Sequence, residues 1–168
     1  GFERPNLSLN ITKTKGDSDK HSRLKDIISR HKTGIVYCST RKHVEAVGEQ
    51  LREWRMKVIE YHGGLSDKER EDRQNKFIAR KCDVAVATNA FGMGIDRSDV
   101  RFVAHFDVPG SVEAYYQEAG RAGRDGEPAW CELLFNFADV KTQEFFIEGS
   151  NPTFETILPS IPDICSHS

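Results

Sequence analysis

The sequence predicts an α/β fold with a mostly parallel sheet, and three observations carry that reading. Short apolar runs of strand length alternate with longer stretches whose apolar residues recur at helical spacing. Residues 84–87 (Val-Ala-Val-Ala) are unbroken apolar, as expected of a central strand covered on both faces. The segments that follow the strands are rich in Gly, Ser, Thr and Arg, and sheets of this kind bind ligands beyond the carboxyl ends of their strands.

Taken in order, an edge strand is expected near residues 7–11. Leu24, Ile27, Ile28 and His31 then mark a first helix face. Residues 35–38 form a buried strand, followed by Val44, Val47, Leu51 and Trp54 at helical spacing. Residues 58–61 are the next strand. Ser66 and Glu69 match a capping box, which starts a charged helix reaching about Ala79 with Phe77 and Ile78 inward. Strands at 84–87 and 102–106 follow. Ser111 is the expected N-cap of a helix whose face carries Val112, Tyr115, Tyr116 and Ala119. A strand at 131–135 and a helix at 139–148 complete a domain over residues 1–150. Residues 151–168, with Pro152, Pro159 and Pro162, read as a tail or the start of a linker.

A chain of 168 residues suits one domain with a full core. Its composition, 38% hydrophobic and 30% charged, is that of an ordinary soluble globular protein. No run of eighteen apolar residues predicts a membrane span. A net charge of −2 argues against non-specific binding to nucleic acid over the whole surface. A local basic face remains, since residues 12–32 carry seven basic side chains against three acidic ones. Gly1-Phe2-Glu3-Arg4-Pro5 lacks an apolar signal region and reads as the interior of a longer protein. Cys38, Cys82, Cys131 and Cys165 form no C-x-x-C pair, so no zinc site is expected. The first three are expected as buried, reduced thiols, which fits a reducing cytosol.

Arg121 and Arg124 lie three apart between glycines, just past an apolar helical run, and are expected to point from one face. A guanidinium stays charged and fits phosphate as a bidentate fork, so the pair suits a polyphosphate with developing charge. The other reading is a solvated helix end, where cations suit the dipole. The chain has no G-x-x-x-x-G-K-S/T loop to hold that phosphate. In the segment 88–96, Thr88, two glycines and Asp96 suit contact with phosphate and sugar, or else a glycine-rich turn with a capping Asp. Ser39, Thr40 and Arg41 at a strand end suit phosphate contact or N-capping of the next helix. His62, before Gly63-Gly64, is either a backbone contact for nucleic acid or a structural histidine. Trp54 and Trp130 are expected in the core, whereas Phe91 fits either core or base stacking.

Together these segments resemble the second RecA-like domain of superfamily 2 helicases, and of the RecQ family in particular. The resemblance runs from Phe2-Glu3-Arg4-Pro5-Asn6 to about Ser150. Motif IV is Gly34-Ile35-Val36-Tyr37-Cys38-Ser39-Thr40-Arg41, with Tyr61-His62-Gly63-Gly64-Leu65 after it. Motif V spans residues 86–96 and motif VI spans Tyr115-Tyr116-Gln117-Glu118-Ala119-Gly120-Arg121-Ala122-Gly123-Arg124-Asp125-Gly126. DEAD-box enzymes normally open that last motif with His-Arg where Gln117 stands.

The resemblance implies a RecA-like three-layer αβα sandwich, and ATP-driven 3′-to-5′ unwinding of DNA. ATP with Mg²⁺ would lie between two such domains, held mainly by a first RecA-like domain that this chain lacks. Arg124 is then the arginine finger, Arg121 the second phosphate-side cation, and Gln117 the link between nucleotide and DNA. Gly94 and Asp96 fall near the nucleotide sugar. Ser39, Thr40, Arg41, His62 and Thr88 fall on the single-strand side. The implied partners are single-stranded or duplex DNA and the first RecA-like domain, with no membrane, in the cytoplasm, nucleoid or nucleus. The chain departs from the family pattern in lacking the first domain and the four-cysteine zinc module, and in having Ser98 where proline is usual. An RNA-directed helicase domain and a non-catalytic scaffold with the same fold are the alternatives.

Overall fold

The computed structural model describes residues 4–91 and 97–148. Six strands and five helices run in the order β1 (Leu7–Lys13), α1 (Asp17–His31), β2 (Gly34–Tyr37), α2 (Arg41–Glu53), β3 (Val58–Tyr61), α3 (Asp67–Ile78), β4 (Val84–Ala87), β5 (Phe102–His105), α4 (Val112–Ala119), β6 (Ala129–Phe135) and α5 (Val140–Glu148). All pairings are parallel and the strand order is β1-β6-β5-β2-β4-β3. The expected α/β class and parallel sheet are therefore present.

The strands at 35–38 and 102–106 shifted or shortened by one residue, to 34–37 and 102–105, and two boundaries moved by two residues. Strand β1 reaches Lys13 and β6 begins at Ala129, because the two pair in register from Leu7↔Ala129 to Lys13↔Phe135 and each lengthens the other. The edge strands are the more exposed ones: β1 has no buried residue along its length, and β3 alternates half-buried with buried. The 151–168 tail and Cys165 lie outside the described residues.

Alternate strand residues face opposite sides of the sheet, which splits the core in two. On one side, Leu24, Ile27 and Ile28 of α1 and Val44, Val47 and Leu51 of α2 pack on Val36, Val86, Phe102, Ala104 and Leu134. On the other, Phe77 of α3, Tyr115 of α4 and Phe145 of α5 pack on Ile35, Ala85, Val103, Cys131 and Leu133. These helices cover both faces, giving three layers. Each fully buried large side chain contributes roughly 1.5–3 kcal/mol.

Local signals are satisfied where expected. Ser66 accepts from the Glu69 amide and Glu69 reaches back to the Ser66 amide, completing the capping box. Ser111 accepts from Ala114 N as the cap of α4. Phe91 is core: it is 1% exposed and packs against Tyr61 and Phe77. Trp54 and Trp130 pack partly buried against the α1–α2 side. Cys38, Cys82 and Cys131 are buried and free. Burial pushes the Cys82 thiol up to about 11 and the Cys131 thiol up to about 12, so neither is a nucleophile near neutral pH.

Gly34 shows why a side chain is excluded at the start of β2. A Cβ there would lie 2.3 Å from the Phe102 carbonyl oxygen, on the strand paired beside it.

Candidate functional site

The carboxyl ends of β5, β2, β4 and β3 lie side by side, because those strands are consecutive in the sheet. Backbone hydrogen bonds tie the segments that leave them. Phe106 N donates to Tyr37 O at 2.9 Å, Cys38 N to Ala87 O at 2.8 Å and Thr88 N to Tyr61 O at 3.1 Å. Ser39, His62, Thr88 and Asp107 thus share one edge, although they are far apart in sequence. A cleft of about 660 Å³ opens there, with Tyr37, Ser39, Asn89, Asp107, Ser111 and Glu118 in its walls.

The first cluster is built on β2 and α2. Thr40 caps α2 by accepting from His43 N at 3.1 Å, which meets the capping alternative for that hydroxyl. The first turn of α2 has no acidic residue, and Ser39, Thr40, Arg41 and Lys42 are all exposed. The exposed start of α2, with the cations of Arg41 and Lys42 beside it, favours an anion. Asp107 organises this corner: its Oδ2 accepts from Ser39 N (2.8 Å), from Ser39 Oγ (3.1 Å) and lies 2.8 Å from His43 Nδ1. Lys20 Nζ sits 3.8 Å from the other oxygen and donates to Phe106 O at 2.6 Å. Arg41 reaches along its own helix to Glu45 at 2.8 Å, and that bond holds the Glu45 carboxyl below its ordinary range.

His62 is only 4% exposed. Its Nδ1 accepts from Gly64 N at 3.1 Å, so the ring braces the glycine turn from beneath, and Nε2 lies 4.0 Å from Glu45. Thr88 is half-buried and starts a turn in which Ala90 N donates to its hydroxyl (3.4 Å) and Phe91 N to its carbonyl (3.0 Å). Gly94 and Asp96 lie outside the described residues.

The second cluster is the arginine segment. Helix α4 ends at Ala119, so Arg121 and Arg124 sit in a series of turns. Their relation is therefore not that of a helical i,i+3 pair, as the spacing had implied. The turns form because Gly123 adopts φ 59°, a left-handed conformation that favours glycine. Two other parts of the chain, residues 4–6 and 100–101, hold them. The Arg4 guanidinium donates to Gly120 O (2.9 Å), Ala122 O (2.8 Å) and Gly123 O (3.0 Å). Asn6 Nδ2 donates to Gly123 O at 2.8 Å and Glu127 O at 2.9 Å. Gly123 N donates to Val100 O, and Arg101 pairs with Asp125 at 2.6 Å.

Arg121 is half-buried and Arg124 exposed. Burial pushes the pKa of the Tyr37 phenol up, and the positive charges of Arg121 and Arg124 offset part of the rise. Gln117 is exposed on α4, and the next residue, Glu118, is buried against His105 with Oε1 2.9 Å from Nε2. Sequence reasoning did not single out Asp107, His105, Glu118, Arg4 or Asn6 individually. The available signals were that His105 falls near the end of an expected strand with Asp107 just beyond it, that Arg4 and Asn6 fall where the resemblance begins, and that Glu118 falls within motif VI.

Gly123→Ala is expected to lower stability by about 1–3 kcal/mol, from the left-handed backbone and a Cβ placed 2.5 Å from Asn6 Nδ2. Thermal unfolding of the 168-residue chain checks this, and an unchanged midpoint would contradict the stated role of the glycine.

An all-parallel, doubly covered sheet with its polar segments gathered at the strand ends defines an α/β domain of the RecA-like kind. Solved structures share that fold. The yeast DEAD-box splicing factor Prp28 superposes with a TM-score of 0.75 at 23% identity, covering 84% of this chain and 32% of that one. The E. coli DEAD-box protein SrmB gives 0.71 at 24% identity, covering 80% of this chain and 79% of that one. A profile of the helicase conserved C-terminal domain matches residues 19–126. The ATP-dependent DNA helicase RecQ of Bacillus subtilis (strain 168) is 44% identical over 152 residues, which covers 89% of this chain and 25% of that protein. The RecQ-like DNA helicase blm-1 of Caenorhabditis elegans is 49% identical over 122 residues, 73% of this chain and 12% of that protein. The chain belongs to the helicase conserved C-terminal domain family, in its RecQ branch. It spans a quarter or less of these two relatives.

Among the described residues, no group of three or more His, Cys, Asp or Glu is arranged to hold a metal ion. No described helix is long and apolar enough to cross a membrane.

Proposed function

We propose that the chain is the second motor domain of an ATP-dependent DNA helicase that unwinds 3′ to 5′. One observation carries the reading: Arg121 and Arg124 are presented on glycine turns that Arg4 and Asn6 hold in place, in a chain that has no phosphate-binding loop of its own. Such an arrangement is half of a site. The other half belongs to a first RecA-like domain, which binds the ATP phosphates and Mg²⁺ and adjoins the arginine turns. Mg²⁺ held by that domain would neutralise phosphate charge. Arg124, exposed at the rim, stabilises the charge that develops as the terminal phosphate departs, and Arg121 supports it from its half-buried place. Gln117 links nucleotide to DNA, and Gly94 and Asp96, outside the described residues, are assigned to the nucleotide sugar on the resemblance of motif V alone.

At the carboxyl ends of the strands, Ser39, Thr40, Arg41 and Thr88 contact the phosphates of one strand, from the exposed start of α2 and the turn after β4. His62 holds the glycine turn beside them in shape. Phosphate contacts carry no base information, which suits a motor that must pass every sequence. ATP closes the two domains and hydrolysis releases them, so each cycle moves the grip along the strand. The names of the B. subtilis and C. elegans relatives support DNA as the substrate.

Two measurements test this. The isolated 168-residue chain is expected to show negligible ATP hydrolysis at any magnesium or DNA concentration, and robust turnover by the pure chain would overturn the half-site reading. The full-length protein is expected to unwind DNA duplexes with a 3′ single-stranded tail in preference to RNA duplexes. A putative ATP-dependent RNA helicase of Acanthamoeba polyphaga mimivirus is 39% identical over 158 residues, so an RNA preference is the competing outcome of the same assay.

A further inference from the structure

Ser39 has two donors to offer a phosphate, its amide and its hydroxyl, and both are already taken. Asp107 Oδ2 accepts from Ser39 N at 2.8 Å and from Ser39 Oγ at 3.1 Å. Capping of α2 does not require this carboxylate, because Thr40 already caps the helix by accepting from His43 N at 3.1 Å. The first turn of α2 carries no acidic residue of its own. The anion that a helix start favours is instead supplied from across the sheet, by a residue just beyond β5.

The same carboxylate has two further partners. Lys20 Nζ lies 3.8 Å from Oδ1, and His43 Nδ1 lies 2.8 Å from Oδ2. Both are fixed independently of Ser39, because both bear on the buried Phe106. Lys20, itself buried, donates to Phe106 O at 2.6 Å and sits 4.9 Å over the Phe106 ring. The His43 ring meets that ring edge-on, with centroids 5.5 Å apart. If Asp107 gives up Ser39, it keeps Lys20 and His43, so its charge is not stranded.

We infer that Asp107 is a positioning residue that holds the two donors of Ser39 until a phosphate of the single strand takes them over, and that it thereby limits how tightly the strand is gripped. The inference rests on the proposed reading of Ser39 as a strand contact. That reading and the observed bonds agree if carboxylate and phosphate exchange on the same donors. One anion then replaces another, so most of what the phosphate gains at Ser39 is offset by the bonds that Asp107 surrenders. A contact of this kind suits a motor that must release the strand in every cycle, while the cations of Arg41 and Lys42 beside it keep their attraction for phosphate.

The test takes the full-length protein and a single-stranded oligothymidylate, with Kd read by fluorescence anisotropy at low and at high salt. Asp107→Asn keeps the size of the side chain and a neutral acceptor but gives up the charge-assisted hold on Ser39. It is expected to bind the strand on the order of tenfold more tightly. Glu113→Gln is the charge-matched control: Glu113 is exposed in the first turn of α4, whose start lines the same cleft, and makes no bond to Ser39 among the described residues. It is expected to leave Kd near the wild-type value. The gain in Asp107→Asn is expected to persist at high salt, where attraction at a distance is screened. An equal gain in both variants, or a gain that vanishes at high salt, would reduce the effect to net charge and overturn the exchange. An unchanged or weaker Kd in Asp107→Asn, which is what loss of a merely structural brace gives, overturns it too.

A structure of the wild-type protein with the same oligonucleotide gives a second reading that needs no variant. Ser39 N and Oγ are expected on a phosphate, with Asp107 kept by Lys20 and His43. Asp107 still bonded to Ser39 while the strand is bound would overturn the inference and leave the motor reading standing. If the wild-type protein binds no single-stranded DNA, the motor reading itself fails, and the exchange falls with it.

Discussion

Arg124→Ala in the full-length protein is expected to reduce ATP turnover by a factor on the order of 10³–10⁵ while leaving ATP binding largely intact. The split follows from where the residue sits in the proposed site. Arg124 is exposed at the rim of a turn held by Arg4, Asn6 and Gly123, and helps neither to fill the core nor to close the sheet. Its removal should leave the fold untouched. Ground-state affinity comes mainly from the first RecA-like domain, whereas the arginine acts on charge that appears only in the transition state. Arg124→Lys is expected to recover only a small part of the rate, because an ammonium keeps the charge but not the planar fork. Steady-state hydrolysis together with fluorescent-nucleotide binding checks both variants. Hydrolysis at the wild-type rate in Arg124→Ala would remove this residue from the site.

The largest expected effect on stability is at the other side of the sheet. Glu132 on β6 has no exposed side-chain surface, and it accepts from Arg23 Nε at 2.5 Å and Nη2 at 2.8 Å. Trp130 Nε1 and Thr12 Oγ1 donate to the same carboxylate at 2.8 and 3.0 Å. Arg23→Met leaves that carboxylate buried without its cation. Breaking a buried pair in this way costs roughly 3–5 kcal/mol, and the two remaining donors place the expected loss near the lower figure, about 3 kcal/mol. That is a large share of the 5–15 kcal/mol typical of a whole domain. Adding Glu132→Gln to Arg23→Met should recover about 1 kcal/mol or more, since the buried charge is then gone and the neutral amide still accepts from Trp130. Urea unfolding of the three chains decides it. A double variant less stable than Arg23→Met would show that packing, not the stranded charge, carries the cost.

Much of the architecture was legible in the sequence because its signals are local. The capping box at Ser66 and Glu69 spans three residues, and the apolar spacing of Val44, Val47 and Leu51 spans two helical turns. The run at 84–87 is apolar at every position because β4 lies inside the sheet with both faces covered, and all four residues are buried. The strand-end segments were legible as candidates for the same reason. What escaped were the partners that hold them. Asp107 fixes Ser39 across 68 positions, and Arg4 holds the arginine turns across 116. Even His105 and Glu118, 13 apart, meet only because β5 and α4 pack together. Composition also misled on one point of geometry: the three-residue spacing of Arg121 and Arg124 reads as helical, but Gly120 to Gly126 leave the helix at Ala119.

By itself, the sequence determined the type and order of the elements, the caps of α2, α3 and α4, and the residue types offered at each strand end. Backbone propensity, capping and burial periodicity act over a few residues, so they are written in short stretches of chain. Only the tertiary structure decided which of those ends meet. The order β5-β2-β4-β3 is not the order of the chain, and it is this crossover that sets Thr88 and Phe91 beside Tyr37, and His105 on the other flank of the same ring. Parallel pairing between strands distant in sequence depends on how both faces of the sheet are buried at once, and no local pattern specifies that.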